Sequence, residues 1–279
     1  MKFDLHCHST VSDGALAPAE LVRRAAARGV QVLALTDHDE LRGLAEARAA
    51  AEAAGIAFID GVEISVTWRG GTLHIVGLRI DPESAELAAG LESLRAGRLG
   101  RAQAMAASLA AAGIEGALEG ALRHARNPGL IGRTHFARYL AETGVVAETR
   151  AAFKRYLTPG KPGYVPHQWA ALAAAVGWIK AAGGEAVIAH PGRYGLSAGA
   201  MKELSGEFRA AGGTAIESVC GSHSLGQYRE FDALAAHCGL AVSCGSDFHG
   251  PEEGAELGSL PSPDTRARTV WANWPLPRA

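Results

Sequence analysis

The segment "VQVLALTDH", Val30 to His38, decides the fold, because it is a mostly apolar run that ends in three polar residues. A predicted helix, 18–29, begins at a proline and ends at a glycine just before this segment, and the strand-like "FDLHCH" of residues 3–8 precedes that helix. A second predicted helix, 41–55, follows with Asp39 as its N-cap. This alternation predicts parallel β/α units.

Five further segments read as strands, and most of the seven are followed by helices. They are "IAFIDGVEIS", "LHIVGLRI", "EAVIAH", "TAIESV" and "LAVSCGSD". No GxGxxG motif follows the first strand, so the pattern favours a distorted TIM-like (β/α)7 barrel in the α/β class over an open doubly wound sheet. Barrels of this kind carry their chemistry at the carboxyl ends of the strands.

A long interruption between the fourth and fifth strands predicts an insertion. Residues 83–166 read as several short helices, which we expect to form an inserted helical subdomain, with 1–82 and 167–279 forming the barrel domain. Residues 91–163 hold eleven Lys and Arg but only five Asp and Glu. The insert is therefore basic, and its place in a loop at the barrel mouth favours an anionic substrate.

Composition excludes several classes of protein. The net charge of −2 over 279 residues gives no basic field of the kind that coats duplex nucleic acid. No apolar run approaches the roughly 20 residues of a membrane span, and the amino terminus lacks a signal-peptide pattern, so we expect a cytoplasmic protein. The four cysteines lack CxxC spacing, which disfavours both a structural zinc site and a disulfide framework.

Polar residues that bind metals close nearly every predicted strand. They are His6, His8, Asp13, Asp37, His38, Asp39, Glu63, His74, His190, Glu217, Asp247 and His249. His6 and His8 point to the same face of their strand, since side chains alternate along it. Imidazoles mixed with carboxylates suit Zn²⁺, Mn²⁺ or Fe²⁺, and so many candidates exceed the needs of one ion. The sequence therefore predicts a site for two or three divalent ions.

Six ordered motifs resemble those of the PHP (polymerase and histidinol phosphatase) superfamily: "DLHCHSTVSDG", "LTDHD", "GVEIS", "HIVG", "AHPGR" and "GSDFHG". The resemblance implies a distorted barrel of seven β/α units and a site for three metals. It assigns His6, His8, Glu63 and Asp247 to one ion, and Glu63, His74 and His190 to a second. Asp13, His38 and His249 would hold the third. Asp37 and Asp39 would orient ligands or cap helices.

The insert extends the resemblance. "IGRTHFARYL" and "GKPGYVP" are similar to a bacterial branch of nucleoside 3′,5′-bisphosphate phosphatases and an exonuclease acting on short RNA from its 5′ end. The residues that we expect to contact substrate are Arg133, His135, Lys161, Tyr164, Arg193 and His223. An arginine can clamp a phosphate bidentately.

These observations predict a metal-dependent phosphatase of nucleoside 3′,5′-bisphosphates that also acts on short 5′-phosphorylated oligonucleotides. A hydroxide bound to the metal ions that these ligands hold would attack the phosphorus atom in line with the leaving oxygen. A phosphomonoesterase acting on histidinol phosphate or another small metabolite is one alternative. A non-catalytic metal-binding domain within a larger assembly is another. The sequence does not indicate the oligomeric state.

Overall fold

The computed structural model describes residues 1–264 and 266–275, so the end of the predicted barrel domain, 276–279, lies outside them. The strands are β1 (Phe3–Asp4), β2 (Val32–Leu35), β3 (Ala57–Trp68), β4 (Gly71–Leu78), β5 (Ala170–Ala171), β6 (Glu185–Ile188), β7 (Ala215–Cys220) and β8 (Ala241–Gly245). The α-helices are α1 (Pro18–Ala27), α2 (Leu44–Ala54), α3 (Ala85–Ala96), α4 (Arg98–Ala111), α5 (Ala117–His124), α6 (Arg133–Glu142), α7 (Thr149–Ala152), α8 (Leu172–Ala181), α9 (Ala198–Ala210) and α10 (Leu225–Cys238). Within these two ranges, none of the helices combines the length and apolar composition needed to cross a bilayer.

Seven of the strands form one curved sheet in the order β1-β2-β3-β4-β6-β7-β8, and β5 pairs with β3 outside that path. The two ends of the sheet meet, since the Leu5 amide donates to the Cys244 carbonyl at 3.0 Å and the Asp247 amide donates to the His6 carbonyl at 2.8 Å. The barrel is therefore nearly closed, and the predicted distorted (β/α)7 fold is confirmed. Closure also brings the segment after β8 beside the first histidines of the chain.

One strand departs from the expected all-parallel arrangement. β4 runs antiparallel to both β3 and β6. Arg69 and Gly70 join β3 to β4 with φ values of 48° and 78°, the positive φ pair of a tight type I′ hairpin turn. His74 consequently reaches the site from the first half of its strand, whereas a parallel β4 would present its carboxyl end there.

Because side chains alternate along each strand, the sheet has one apolar layer inside the barrel and another between the strands and the helices. Val32 and Ala34 of β2 face the barrel interior, whereas Leu33 and Leu35 pack against the surrounding helices. Trp274 closes the interior at the end away from the predicted site, where its indole N–H donates to Glu185 Oε1 at 2.7 Å.

The inserted segment has an apolar cluster of its own. Met105, Leu109, Phe136 and Leu140 are buried together within it. Helices α3 and α4 of the inserted segment are separated at Gly97, where a Cβ atom would lie 2.8 Å from His167 Cε1. The division of the chain into a barrel domain and an inserted subdomain at 83 and 166 stays a prediction.

The predicted start of α2 is wrong. The helix begins at Leu44 with Gly43 at the N-cap, and Asp39 does not cap it. The Asp39 carboxylate instead accepts hydrogen bonds from the amide and hydroxyl of Ser65, at 2.8 and 2.9 Å, and pairs with Arg98 of the insert. Asp39 has a φ of 49°, which turns its side chain away from the helix.

Candidate metal centre

The nine predicted metal ligands converge at the barrel mouth. Eight fall into three groups whose donor atoms lie within 4.8 Å of one another. The groups are His6, His8, Glu63 and Asp247; His38, Glu63 and His74; and His8, Asp13, His38 and His249. The ninth, His190, has its Nε2 2.9 Å from Glu63 Oε1. We call these nine residues the carboxylate–imidazole cluster.

Glu63 lies at the centre of the cluster. Its Oε1 is 3.0 Å from His74 Nδ1, and its Oε2 lies 3.2 Å from His8 Nε2 and 3.0 Å from His38 Nδ1. Glu63 is in the middle of β3 because that strand continues beyond the barrel into the hairpin. A carboxylate whose two oxygens face different imidazoles can bridge two cations.

The donor set of the cluster fits divalent metal ions. Within residues 1–264 and 266–275, five of its buried atoms have no hydrogen-bond partner: His8 Nδ1, His38 Nδ1, Glu63 Oε2, His190 Nδ1 and Asp247 Oδ1. Leaving such atoms unpaired costs roughly 1–3 kcal/mol each. Lone pairs that face one another at about van der Waals distance or less are stabilised by a cation placed between them.

The ionisation of the buried carboxylates in the cluster also favours bound divalent ions. Burial opposes ionisation of Glu63, yet His38 and His74 hold the pKa of its carboxyl well below the usual range. Burial also opposes ionisation of Asp13, whose carboxyl pKa is held well below the usual range by His249 and His38. Buried carboxylates that stay ionised require nearby positive charge, and where the imidazoles are neutral ligands divalent ions would supply that charge.

Hydrogen bonds to Glu217 and to a backbone carbonyl fix the imidazoles of the cluster. Glu217, buried on β7, has its Oε1 2.8 Å from His6 Nδ1, so His6 Nε2 is left free to face Glu63. The other Glu217 oxygen accepts the His190 amide N–H at 2.6 Å. His249 Nδ1 lies 2.9 Å from the Asp247 carbonyl, which directs His249 Nε2 towards the centre. Such partners determine which imidazole nitrogen is available to a metal.

The loop that carries Asp13 is held by Asp37. The Asp37 carboxylate accepts hydrogen bonds from the amide and hydroxyl of Ser9, at 2.8 and 2.7 Å, and from the hydroxyl of Ser12 at 2.5 Å. Asp37 thus holds Ser9 and Ser12 of this loop, and its role in orienting ligands stays a prediction.

Two of the six predicted substrate contacts line the cleft above the cluster. Arg193 is 47% exposed and donates to Asp247 Oδ2 at 2.6 Å, and Arg133 lies at the start of α6. Lys161 is exposed elsewhere on the insert, and Tyr164 lies near Arg133 without lining the cleft.

The two predicted histidines lie behind the cleft wall. His135 is buried, and its Nδ1 accepts the amide N–H of Gly132 at 3.0 Å. Burial lowers the pKa of His135 to about 4, which keeps the ring neutral. His223 is buried as well, with Nε2 accepting the Gly192 amide at 3.0 Å and Nδ1 lying 3.0 Å from the Ser218 carbonyl. Both imidazoles therefore support the backbone of the cleft.

Sequence reasoning missed several residues of the cleft. Arg98, Arg101, Phe153 and Trp169 line it together with the cluster, and the space that they enclose is about 670 Å³ including its open mouth. The guanidinium carbons of Arg98 and Arg101 lie 4.8 and 5.3 Å from the centre of the Trp169 ring. Guanidinium groups bind phosphates and aromatic rings stack on bases, so this lining is of the kind that binds nucleotides.

The insert gives the cleft a positive charge. Among the described residues, neither Arg101 nor Arg133 has a carboxylate oxygen within 4.0 Å. Burial, Arg133 and Arg98 lower the pKa of Arg101 to about 10, and burial and Arg193 lower the pKa of Arg133. Guanidinium groups that crowd one another are stabilised by an anion bound between them.

Comparison with known proteins identifies the family. A sequence profile described as the PHP domain matches residues 4–155, which is more than half of the chain. The chain belongs to the PHP family. The predicted resemblance is thereby confirmed, and the nine cluster residues lie at the positions of the PHP motifs named above.

Relatives of the PHP family that match along nearly the whole chain carry informative names. A 3′,5′-nucleoside bisphosphate phosphatase of Chromobacterium violaceum is 55% identical over 269 residues, which cover 96% of this chain and 94% of that protein. A 5′-3′ exoribonuclease, Rnm, of Escherichia coli is 42% identical over 278 residues, covering 99% of this chain and 94% of that protein. These names bear out the predicted enzyme class, a phosphoric ester hydrolase.

Solved PHP-like structures superpose closely. A Chromobacterium violaceum protein described as an amidohydrolase, with bound sulfate and no metal, has 55% identity and a TM-score of 0.95 over 97% of this chain and 95% of its own. A Bifidobacterium adolescentis protein described as a metal-dependent phosphoesterase has 28% identity and a TM-score of 0.83 over 94% of this chain and 92% of its own. Metal dependence is thus a property named in the family.

Proposed function

We propose that this chain is a cytoplasmic phosphatase that uses two or three divalent ions to remove the 3′-phosphate from nucleoside 3′,5′-bisphosphates, such as adenosine 3′,5′-bisphosphate, giving AMP. The observation that carries the proposal is the arrangement of one cleft. A carboxylate–imidazole cluster forms its floor, and its wall includes the guanidiniums of Arg101 and Arg133, which have no carboxylate partner among the described residues. A substrate with two phosphates satisfies both surfaces at once.

The cluster would hold the ions in three sets. His6, His8, Glu63 and Asp247 would hold one ion, and Glu63 would share a second with His74 and His190. Asp13, His38 and His249 would hold the third. Imidazole and carboxylate donors support Mn²⁺, Zn²⁺ or Fe²⁺. When bound, such ions stabilise charge on the phosphoryl oxygens and lower the pKa of a water nucleophile.

Residues of the chain itself would orient the substrate. Arg193 bridges Asp247 and the cleft, so its remaining N–H groups are placed to donate to the phosphoryl oxygens of the reacting group. Arg101 and Arg133 would bind the second phosphate. Trp169 and Phe153 contribute apolar surface to the cleft in which the nucleoside would lie. Binding energy from the second phosphate would hold the first in line for attack.

A panel of phosphate esters tests this function. Metal-loaded protein is given adenosine 3′,5′-bisphosphate, 3′-AMP, 5′-AMP and histidinol phosphate, and the released phosphate is measured. The proposal expects kcat/KM for the bisphosphate to exceed that for 3′-AMP by about 10- to 100-fold, the value of one or two charge-assisted hydrogen bonds. Equal rates would favour a general phosphomonoesterase, and a lack of hydrolysis with metal bound would favour the non-catalytic reading.

A second candidate activity follows because RNA contains the same O3′–P bond. A 5′-phosphorylated RNA presents a 5′-phosphate and a 3′-phosphodiester at the same spacing as the bisphosphate, and cleavage of its O3′–P bond releases the same nucleoside 5′-monophosphate. The open mouth of the cleft and the 42% identity to an exoribonuclease favour it. Mass analysis of a short 5′-phosphorylated RNA should show mononucleotides released from the 5′ end, and a matching RNA with a 5′-hydroxyl should be a poorer substrate.

A further inference from the structure

The insert makes polar contacts to the loops that carry the third ligand group. Asp13, His38 and His249 all lie in loops beyond the strands that lead to them, at 9–14, after β2 and after β8. Glu63, by contrast, is fixed within β3 by ladder hydrogen bonds to β4. His38 is also held by a parallel backbone bridge to Glu63, in which the Asp39 amide donates to the Glu63 carbonyl at 2.9 Å, and contacts from the insert add to that support.

The insert contacts the first of these loops through a side-chain amide. Asn127, between α5 and α6, donates from Nδ2 to the carbonyl of Val11 at 3.1 Å. Val11 lies two residues before Asp13. This hydrogen bond holds the tip of the loop on the side facing the insert.

The insert contacts the second loop through two arginines. Arg95 of α3 donates from Nη1 to the carbonyl of Asp39 at 2.7 Å, and Arg98 of α4 pairs with the carboxylate of the same residue. Asp39 follows His38 directly and holds a left-handed φ of 49°. A partly buried donor and a buried donor from the insert thus hold the backbone and the side chain of Asp39 beside this ligand.

The insert contacts the third loop through a bidentate ion pair. Arg138 of α6 donates to Glu253, with Nε 3.0 Å from Oε1 and Nη2 2.6 Å from Oε2. Its side chain is only 13% exposed. Glu253 lies four residues after His249. Bidentate, partly buried pairs are the more strongly stabilising class, and breaking one leaves an uncompensated charge.

We propose that the insert acts as a clamp that sets the metal affinity of the Asp13, His38 and His249 group, with Arg138 and Glu253 as positioning residues. The inference rests on the proposed function for the existence of that group. Its physical basis is that the insert holds each of the three loops by an independent polar contact. The seated insert therefore adds support to every loop of this group.

The test measures metal binding directly. Apo protein is titrated with Mn²⁺ by calorimetry, and the class of sites lost in Asp13→Ala identifies the group. Arg138→Met should weaken that class by about tenfold or more, the usual effect of losing a supporting contact around a metal ligand, and should leave the other classes unchanged. Asn127→Ala should weaken the same class, and the charge exchange R138E/E253R should restore it in part.

The barrel offers a matched control. Arg24 of α1 pairs with Glu256 at the same two distances, Nε to Oε1 3.0 Å and Nη2 to Oε2 2.6 Å, without involving the insert. Arg24→Met should leave every class of metal sites unchanged, and thermal unfolding checks that both variants fold. Equal losses in the two variants, or no loss in Arg138→Met, would overturn the clamp.

Failure of the clamp can be told apart from failure of the proposed function. If the wild-type protein binds no Mn²⁺, the proposed metal centre is wrong and the clamp falls with it. If the wild type binds metal and Asp13→Ala loses none, the clamp alone is wrong because its group holds no ion. If Asp13→Ala loses one class and Arg138→Met keeps it, the clamp is again wrong while the function stands.

Discussion

At the scale of single residues, Glu217 lies outside the cluster and contacts two of its histidines. One of its oxygens lies against the His6 ring and the other accepts the His190 amide. His190 has a φ of 27°, a strained value for a residue with a Cβ atom. Glu217 therefore holds both the tautomer of one proposed ligand and the backbone of another.

We predict that Glu217→Gln lowers metal affinity by about 10- to 100-fold. The amide group has one acceptor oxygen, so either the His6 N–H or the His190 N–H would face an NH₂ group instead. Calorimetric titration with Mn²⁺ measures the change. Glu185→Gln, which alters the contact to Trp274 at the far end of the barrel, is the control. Wild-type affinity in Glu217→Gln would show that the contact has no such role.

Whether a site residue can be predicted from the sequence depends on where it lies relative to the predicted strands and motifs. The cluster residues could be predicted because each follows an apolar run or a motif. Glu217 also lies on a predicted strand, but nothing in the sequence shows that it faces two histidines instead of a metal. Arg101 and Trp169 could not be predicted, because 67 residues separate them and only folding brings them to one cleft.

At the scale of helices and strands, the bounds of the barrel elements follow from local signals. Pro18 begins α1, and Gly55 ends α2 with a left-handed φ of 69°. The hairpin between β3 and β4 also has a signal, since two apolar runs are separated by the dipeptide Arg69-Gly70. Reading β4 as part of a parallel unit overlooked that signal. The start of α2 could not be read locally, because Asp39 is held by residues distant in sequence.

The contact between α3 and α8 yields a prediction about packing. A Cβ atom at Gly90 would lie 2.4 Å from the Trp178 ring, whereas one at Gly100 on α4 would meet no atom within 4 Å. Gly90→Ala should therefore destabilise the protein by about 1–3 kcal/mol through overpacking. Gly100→Ala should stabilise it by roughly 0.5–1 kcal/mol through helix propensity. Urea unfolding distinguishes the two, and a stable Gly90→Ala would show that this interface is not tightly packed.

At the scale of the whole molecule, metal binding and folding are linked. The cluster draws its ligands from both ends of the chain, from His6 to His249, and the ions would neutralise its buried carboxylates. Any ligand that binds only the folded state raises its stability. We predict that chelation lowers Tm by several degrees and that Mn²⁺ restores it, whereas Ca²⁺, which prefers sites made only of oxygen ligands, does not. Differential scanning calorimetry measures this, and a Tm independent of Mn²⁺ would argue against the metal centre.

In the proposed function, the barrel and the insert would have different roles. The barrel floor would hold the metals and break one phosphate ester, and the basic insert would bind the second phosphate. The sequence predicted this division from the charge difference between residues 91–163 and the rest of the chain. It could not predict that Arg101 and Arg133 lack acidic partners in the described structure, since that depends on how the insert packs.

The most direct test of the division is the selectivity of Arg133→Met. The selectivity is the ratio of kcat/KM for adenosine 3′,5′-bisphosphate to kcat/KM for 3′-AMP, measured at the same metal content in variant and wild type. The account predicts that the variant loses most of the wild-type preference, about tenfold or more, while its rate with 3′-AMP stays close to the wild-type value. An unchanged preference in Arg133→Met, or an equal loss with both substrates, would contradict it.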